Sequence, residues 1–249
     1  MTLTRQQKIA TFVLAIYWPA LFILTHIPIP GVIQEADVSD KSLHFLAYLI
    51  LAFLLRAAVS GEQKVSWRKA APWLVLFVIV VYGILDEWLQ SYVVGRSSDI
   101  RDFFADMVGT FVCLILCSFL AFWSAGLIVT ATVIFSTKNI EQANLAELLP
   151  VTNAVFHLFA YAILTVMWIR CTHLFLAVKA HQTKWLIPAL AGPTGFLLFV
   201  KLFSVIVGKD ITLSDTIISF GAITTVVTAY YLRSSFQKKQ SAENGNFEP

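Results

Sequence analysis

Four short segments in the N-terminal half carry side chains that could do chemistry together. Lys41, His44 and Tyr48 fall at helical spacing on one face of a segment that opens with Asp40. Gly83, Asp86, Glu87 and Gln90 lie within about 100° of arc on a second segment, at 100° per residue. Asp99, Asp102, Asp106, Gly109 and Cys113 form one stripe on a third, and the loop Gly95-Arg96-Ser97-Ser98 adds a cation between them. Carboxylates beside an imidazole are the groups that move protons in general acid–base catalysis. Arginine and lysine are the groups that hold an anionic head group. The catalytic candidates are therefore His44, Glu87 and Asp102, and the binding candidates are Lys41, Tyr48, Asp86, Gln90, Arg96, Asp99, Arg101 and Asp106. Glu87, Asp102, Asp106 and His44 would also suit a divalent ion. Without a paired-histidine motif, no metal is assigned, and the cofactor is left unknown.

Structural readings stand beside these. Asp99 and Asp102 suit a helix N-terminus by capping and by the helix dipole. Tyr48 taken alone reads as an interfacial aromatic. His44 taken alone reads as a hydrogen-bonded packing residue. Asp86-Glu87 with Gln90 resists such a reading, because ionisable groups inside a span are costly and face a protein interior or a wet cavity. Gly83 and Gly109 would let helices approach closely around them.

The elements that must position these groups are set by composition. The 249 residues are 58% apolar and 13% charged, about half the usual charged fraction, with a mean hydropathy of +0.75. That excludes a secreted domain, a nucleic-acid-binding module and a disordered chain. Cys113, Cys117 and Cys171 sit in apolar runs with no CxxC, as packing residues do. A spanning helix needs about 20 apolar residues. The candidates are residues 9–25, 42–59, 71–93, 102–121, 124–136, 153–169, 185–207 and 213–232. The first, after a basic N-terminus and with no small-x-small cleavage pattern, reads as a retained span and not a signal peptide. The nearly uninterrupted run 103–136 would make a single helix of roughly 50 Å, too long for the bilayer core, so it divides near Phe122-Trp123-Ser124. Charge agrees. With eight spans, twelve of the 18 Lys and Arg residues share the side of both termini, five lie opposite, and Lys201 is within a span. This bias makes both termini cytoplasmic. Only Glu62, Glu243 and Glu248 of the 15 acids fall on that side.

An offset of 113 residues superimposes Asp40–Tyr48 on Asn153–Tyr161, Ser91 on Ser204, Gly95 on Gly208, Arg96 on Lys209 and Asp102 on Asp215. The expected architecture is an all-α polytopic bundle of eight transmembrane helices. They form two tandem four-helix units related by an axis along the membrane normal, 1–121 and 122–232, followed by a disordered cytoplasmic tail, 233–249. The second unit is degenerate: Asp86, Glu87, Gln90 and Asp106 correspond to Phe199, Val200, Phe203 and Ser219.

Asp40-Lys41 with His44 and Tyr48, then Gly83 with Glu87 and Gln90, then Gly95-Arg96-Ser97, then Asp102 and Asp106, together resemble the VanZ-like family of bacterial multipass membrane proteins. The resemblance covers about residues 10 to 120. One departure is Asp106, where the family usually has Asn. The resemblance implies the cytoplasmic membrane of a bacterium and a cell-envelope theme, with resistance to the glycopeptide teicoplanin as a loosely associated trait. It implies no reaction, so enzymatic activity is left open.

The leading functional reading is an outward-facing polar pocket for an anionic envelope amphiphile, a membrane lipid or lipid-linked precursor, with nucleic acid excluded as a partner and the oligomeric state unknown. A non-catalytic scaffold or sensor, whose polar cluster only locks helices together, follows closely. A divalent-ion site and a transporter rank behind both.

Overall fold

The computed structural model describes residues 3–27, 40–94, 98–139, 150–175, 180–209 and 212–244. These residues form eight α-helices and no strand: α1 Arg5–His26, α2 Asp40–Ser60, α3 Ala70–Gln90, α4 Ile100–Phe119, α5 Phe122–Asn139, α6 Pro150–Phe175, α7 Leu186–Ile206 and α8 Leu213–Asn244, with a 3-10 turn Thr183–Trp185 before α7. Seven of the helices are long and apolar enough to cross a membrane. Large apolar side chains such as Phe12, Phe77, Ile84, Phe104 and Leu198 stand exposed on their outer faces, as lipid contact requires.

The eighth expected span corresponds to α5, the shortest of the eight helices. This helix has 18 residues and ends in Thr137-Lys138-Asn139. At about 1.5 Å per residue it is roughly 27 Å long, and the polar end shortens its apolar length further.

The chain divides into two compact units. The first comprises Met1–Ser136 with Glu141–Asn144, so it holds α1 to α4 and most of α5. At its centre α2 packs chiefly on α4 and α1. Leu49, Leu51 and Ala52 of α2 and Cys113 and Leu114 of α4 are fully enclosed. A methyl group at Gly109 would collide with the Phe45 carbonyl oxygen, so the α2–α4 contact is backbone against backbone. Thr4 and Gln7 form a capping box at the start of α1. The Gln7 amide also donates to the Val59 carbonyl oxygen, 3.2 Å, and the Tyr17 hydroxyl to that of Ala47, 2.9 Å, tying α1 to α2.

The long apolar run breaks at Leu120-Ala121, two residues before the expected place and with no glycine or proline to cause it. Tertiary contacts specify the break. Lys64 Nζ donates to the Phe119 carbonyl oxygen, 2.7 Å, and the Val65 N–H to that of Cys117, 2.9 Å. Phe122 stacks on Phe53 at 5.2 Å, and the buried Arg56 guanidinium covers its ring at 5.5 Å. Carbonyls that a continuing helix would have used are thus bonded by the α2–α3 connection.

The second unit comprises Thr137–Ile140 and Leu145–Pro249. There α8 packs chiefly on α6. Trp185 stacks on Tyr230 at 5.5 Å, and Trp168 Nε1 donates to the Pro188 carbonyl oxygen, 2.8 Å. The last helix continues through Asn244, so residues 233–244 are helical where disorder was expected. Gln, Lys, Ala and Glu are good helix formers, and no Gly or Pro intervenes before Gly245.

Candidate functional site

At one end of the first unit, the C-terminal turns of α1 and α3 meet the N-terminal turns of α2 and α4. His44 of α2, Glu87 of α3 and Asp106 of α4 converge there, with ligand-type atoms all within 4.8 Å of one another and all three side chains buried. His44 Nδ1 lies 3.0 Å from Asp106 Oδ1. Glu87 Oε2 accepts the Asp99 backbone N–H at 3.0 Å, which fixes the loop before α4 to the end of α3. The remaining oxygens, Glu87 Oε1 and Asp106 Oδ2, are buried with no hydrogen-bond partner among the described residues. Asp106 Oδ2 lies 3.7 Å from where a Cβ on Gly83 would sit.

Asp102 is buried beside this centre, in the first turn of α4. Lys41 reaches over it from α2, with Nζ 3.9 Å from Asp102 and 3.8 Å from Asp99. Its side chain is 51% exposed, so it forms the rim and not the floor. Asp99 is the N-cap of α4, accepting the Arg101 N–H at 2.9 Å. Capping therefore accounts for Asp99. Tyr48 lies one turn below His44, buried and stacked on Tyr82 at 5.9 Å.

The acidic pair on α3 does not act as one. Glu87 turns toward α4, whereas Asp86 turns toward α1. Asp86 accepts from Gln90 Nε2 at 2.7 Å and from the Thr25 hydroxyl at 3.0 Å, and lies 3.7 Å from His26 Nδ1. Asp86 and Gln90 are thereby a second, internally satisfied network. Thr25 and His26 were not among the expected site residues. The signal for them was present, since the 113-residue offset pairs Thr25-His26 with Lys138-Asn139, another polar pair ending an apolar run. The Arg101 side chain is exposed and makes no contact with the cluster among the described residues. Arg96 lies outside the described residues.

The second unit carries its own polar cluster at the corresponding sequence positions. Asp215 receives Lys138 Nζ at 3.0 Å and Asn153 Nδ2 at 2.7 Å, and lies 3.2 Å from His157 Nε2. His157 Nδ1 is 2.8 Å from the Ser219 hydroxyl. His44–Asp106 and His157–Ser219 are each 62 residues apart, and each joins the second helix of its half to the fourth.

The stretch 3–122, which carries every residue of the first cluster, matches the VanZ/LLP1 family model. That stretch is VanZ-like. The matched stretch runs from just before α1 to the first residue of α5, so the VanZ-like part is the four-helix bundle α1 to α4. No curated protein and no solved structure matches the chain. Within this VanZ-like bundle, Asp106 adds a second carboxylate to a centre that already holds Glu87 and His44.

Proposed function

We propose that the VanZ-like bundle binds the anionic head group of an envelope amphiphile, a membrane lipid or a lipid-linked precursor, at the outer face of a bacterial cytoplasmic membrane. The observation that carries this reading is the junction of a polar end with an apolar groove. The groove has a volume of about 660 Å³ and is lined by Leu14, Trp18, Phe22 and Ile23 of α1 with Tyr82 of α3. Tyr82 and Phe22 each lie one helical turn below the polar end, at Asp86 and His26. An acyl or prenyl chain in the groove would bring its head group to the polar end, where Lys41 forms the rim. His44, paired with Asp106, stands at the centre of that polar end. The charge bias along the chain supports placing this end outside and both termini in the cytoplasm. The parallel His44–Asp106 and His157–Ser219 pairs support an internal duplication, whose second copy has kept the helix contacts and lost the acids.

A scaffold reading draws on Asp86, whose bonds to Gln90 and Thr25 lock α3 to α1. Lipid analysis separates the two. Wild-type protein purified in mild detergent retains an anionic lipid detectable by mass spectrometry, and Lys41→Ala and Trp18→Ala each reduce it while the protein still inserts. Wild-type retention in both variants ends the amphiphile reading and leaves the scaffold.

A further inference from the structure

Four buried carboxylates at the site, those of Asp86, Glu87, Asp102 and Asp106, would repel the anionic head group it is proposed to bind. Their neighbours do not remove the conflict. Asp86 is satisfied toward α1, and Lys41 stands over Asp99 and Asp102, half in solvent. Glu87 is 7% exposed and Asp106 0%, and each keeps one buried oxygen with no hydrogen-bond partner among the described residues. Such atoms are costly to leave unmatched.

The second unit shows what a lone buried carboxylate needs. Asp215 is met by the Lys138 ammonium at 3.0 Å, so that cluster carries its own cation. The corresponding position in the first half is Thr25, which brings no charge. The second half also lacks counterparts of Glu87 and Asp106, having Val200 and Ser219.

We infer that His44, Glu87 and Asp106 together hold a divalent cation of the Mn²⁺ or Zn²⁺ class, and that the anionic head group is recognised through it. One imidazole with two carboxylates is the mixed donor set that suits such ions. Ligand bonds of about 2.0–2.2 Å require the three donors to close to within roughly 4 Å. The His44–Asp106 pair already lies at 3.0 Å, and the widest separation in the group is within 4.8 Å. Three protein ligands leave coordination positions for water or a head-group oxygen. The cation site stands on this geometry, and its second role rests on the pocket proposed above.

The experiment uses the full chain in detergent, stripped with EDTA and dialysed against Mn²⁺ alone or, in parallel, Zn²⁺ alone, with bound metal counted by mass spectrometry. Wild type binds one ion per chain. Glu87→Gln and Asp106→Asn each weaken binding by about ten-fold or more, while Lys184→Ala, at an exposed lysine of the second unit, leaves it unchanged. Wild type that binds no ion, or binding indifferent to both Glu87→Gln and Asp106→Asn, overturns the cation site. A second arm measures retention of phosphatidylglycerol from vesicles by stripped and Mn²⁺-loaded protein. Retention that needs the metal supports its role as receptor. Retention equal in both states overturns that role and leaves the pocket reading standing. One bound ion with no lipid retained in either state defeats the pocket reading and leaves the cation site.

Discussion

Glu87→Gln should make the metal-free protein more stable. Glu87 and Asp106 present acidic oxygens within 4.8 Å of each other, so two full charges there repel by about 3 kcal/mol at an effective dielectric near 20. The substitution removes one charge, and its amide N–H₂ supplies a donor beside the unpartnered Asp106 Oδ2. Against this, the Asp99 N–H bond loses its ionised acceptor, at a cost of about 1 kcal/mol. The balance favours the variant by roughly 1–2 kcal/mol. For a chain of this size that raises Tm by about 2–8 °C. Differential scanning fluorimetry in detergent with EDTA reads this directly. Adding Mn²⁺ at about 100 times the wild-type Kd should then stabilise wild type by about 2.7 kcal/mol and a variant that binds ten-fold more weakly by about 1.4 kcal/mol, cancelling most of the difference. A variant that melts below wild type in EDTA, with the same difference in Mn²⁺, would show that Glu87 only braces α3 against α4.

Three further outcomes follow from packing and charge. Gly109→Val forces a branched side chain into the Phe45 carbonyl and should destabilise the first unit by about 3 kcal/mol or more, seen as a lower Tm and protease sensitivity; a melt like that of wild type would refute the close α2–α4 contact. Lys138→Ala strips the buried Asp215 of its cation and should cost about 3–5 kcal/mol, with metal binding at His44 unchanged; unchanged stability would refute the ion pair's role. Single cysteines at Val94 and Glu62, both exposed, should react with an impermeant maleimide in intact cells and only after permeabilisation, respectively. The native thiols Cys113, Cys117 and Cys171 are buried. Labelling of position 62 in intact cells would invert the proposed topology.

Much of the architecture was legible because lipid imposes a simple rule, that a span is an apolar helix of nearly fixed length. The division of the run 103–136 came from bilayer thickness, but the position of the break did not. It depends on Lys64, Phe53 and Arg56, which reach Phe119 and Phe122 only after folding. The helical face of α3 was read correctly as polar, yet Asp86 and Glu87 serve different neighbours. Adjacent residues diverge by about 100° around a helix, and which neighbour each meets depends on how α1 and α4 flank α3. Thr25 and His26 escaped notice because they close an apolar run, where polar residues look like an ordinary span end. Lys138 looked like an outer-loop charge for the same reason, until the fold brought it to Asp215. The helical tail beyond Leu232 was misjudged from polarity alone, although its residues favour helix.

The convergence of His44, Glu87 and Asp106 from three helices is tested most directly by anomalous diffraction at the manganese edge, on crystals grown with Mn²⁺. The account predicts a single anomalous peak bounded by these three side chains near the Lys41 end of the bundle. The contradictory result is a map in which the three side chains point to separate faces and no peak lies among them.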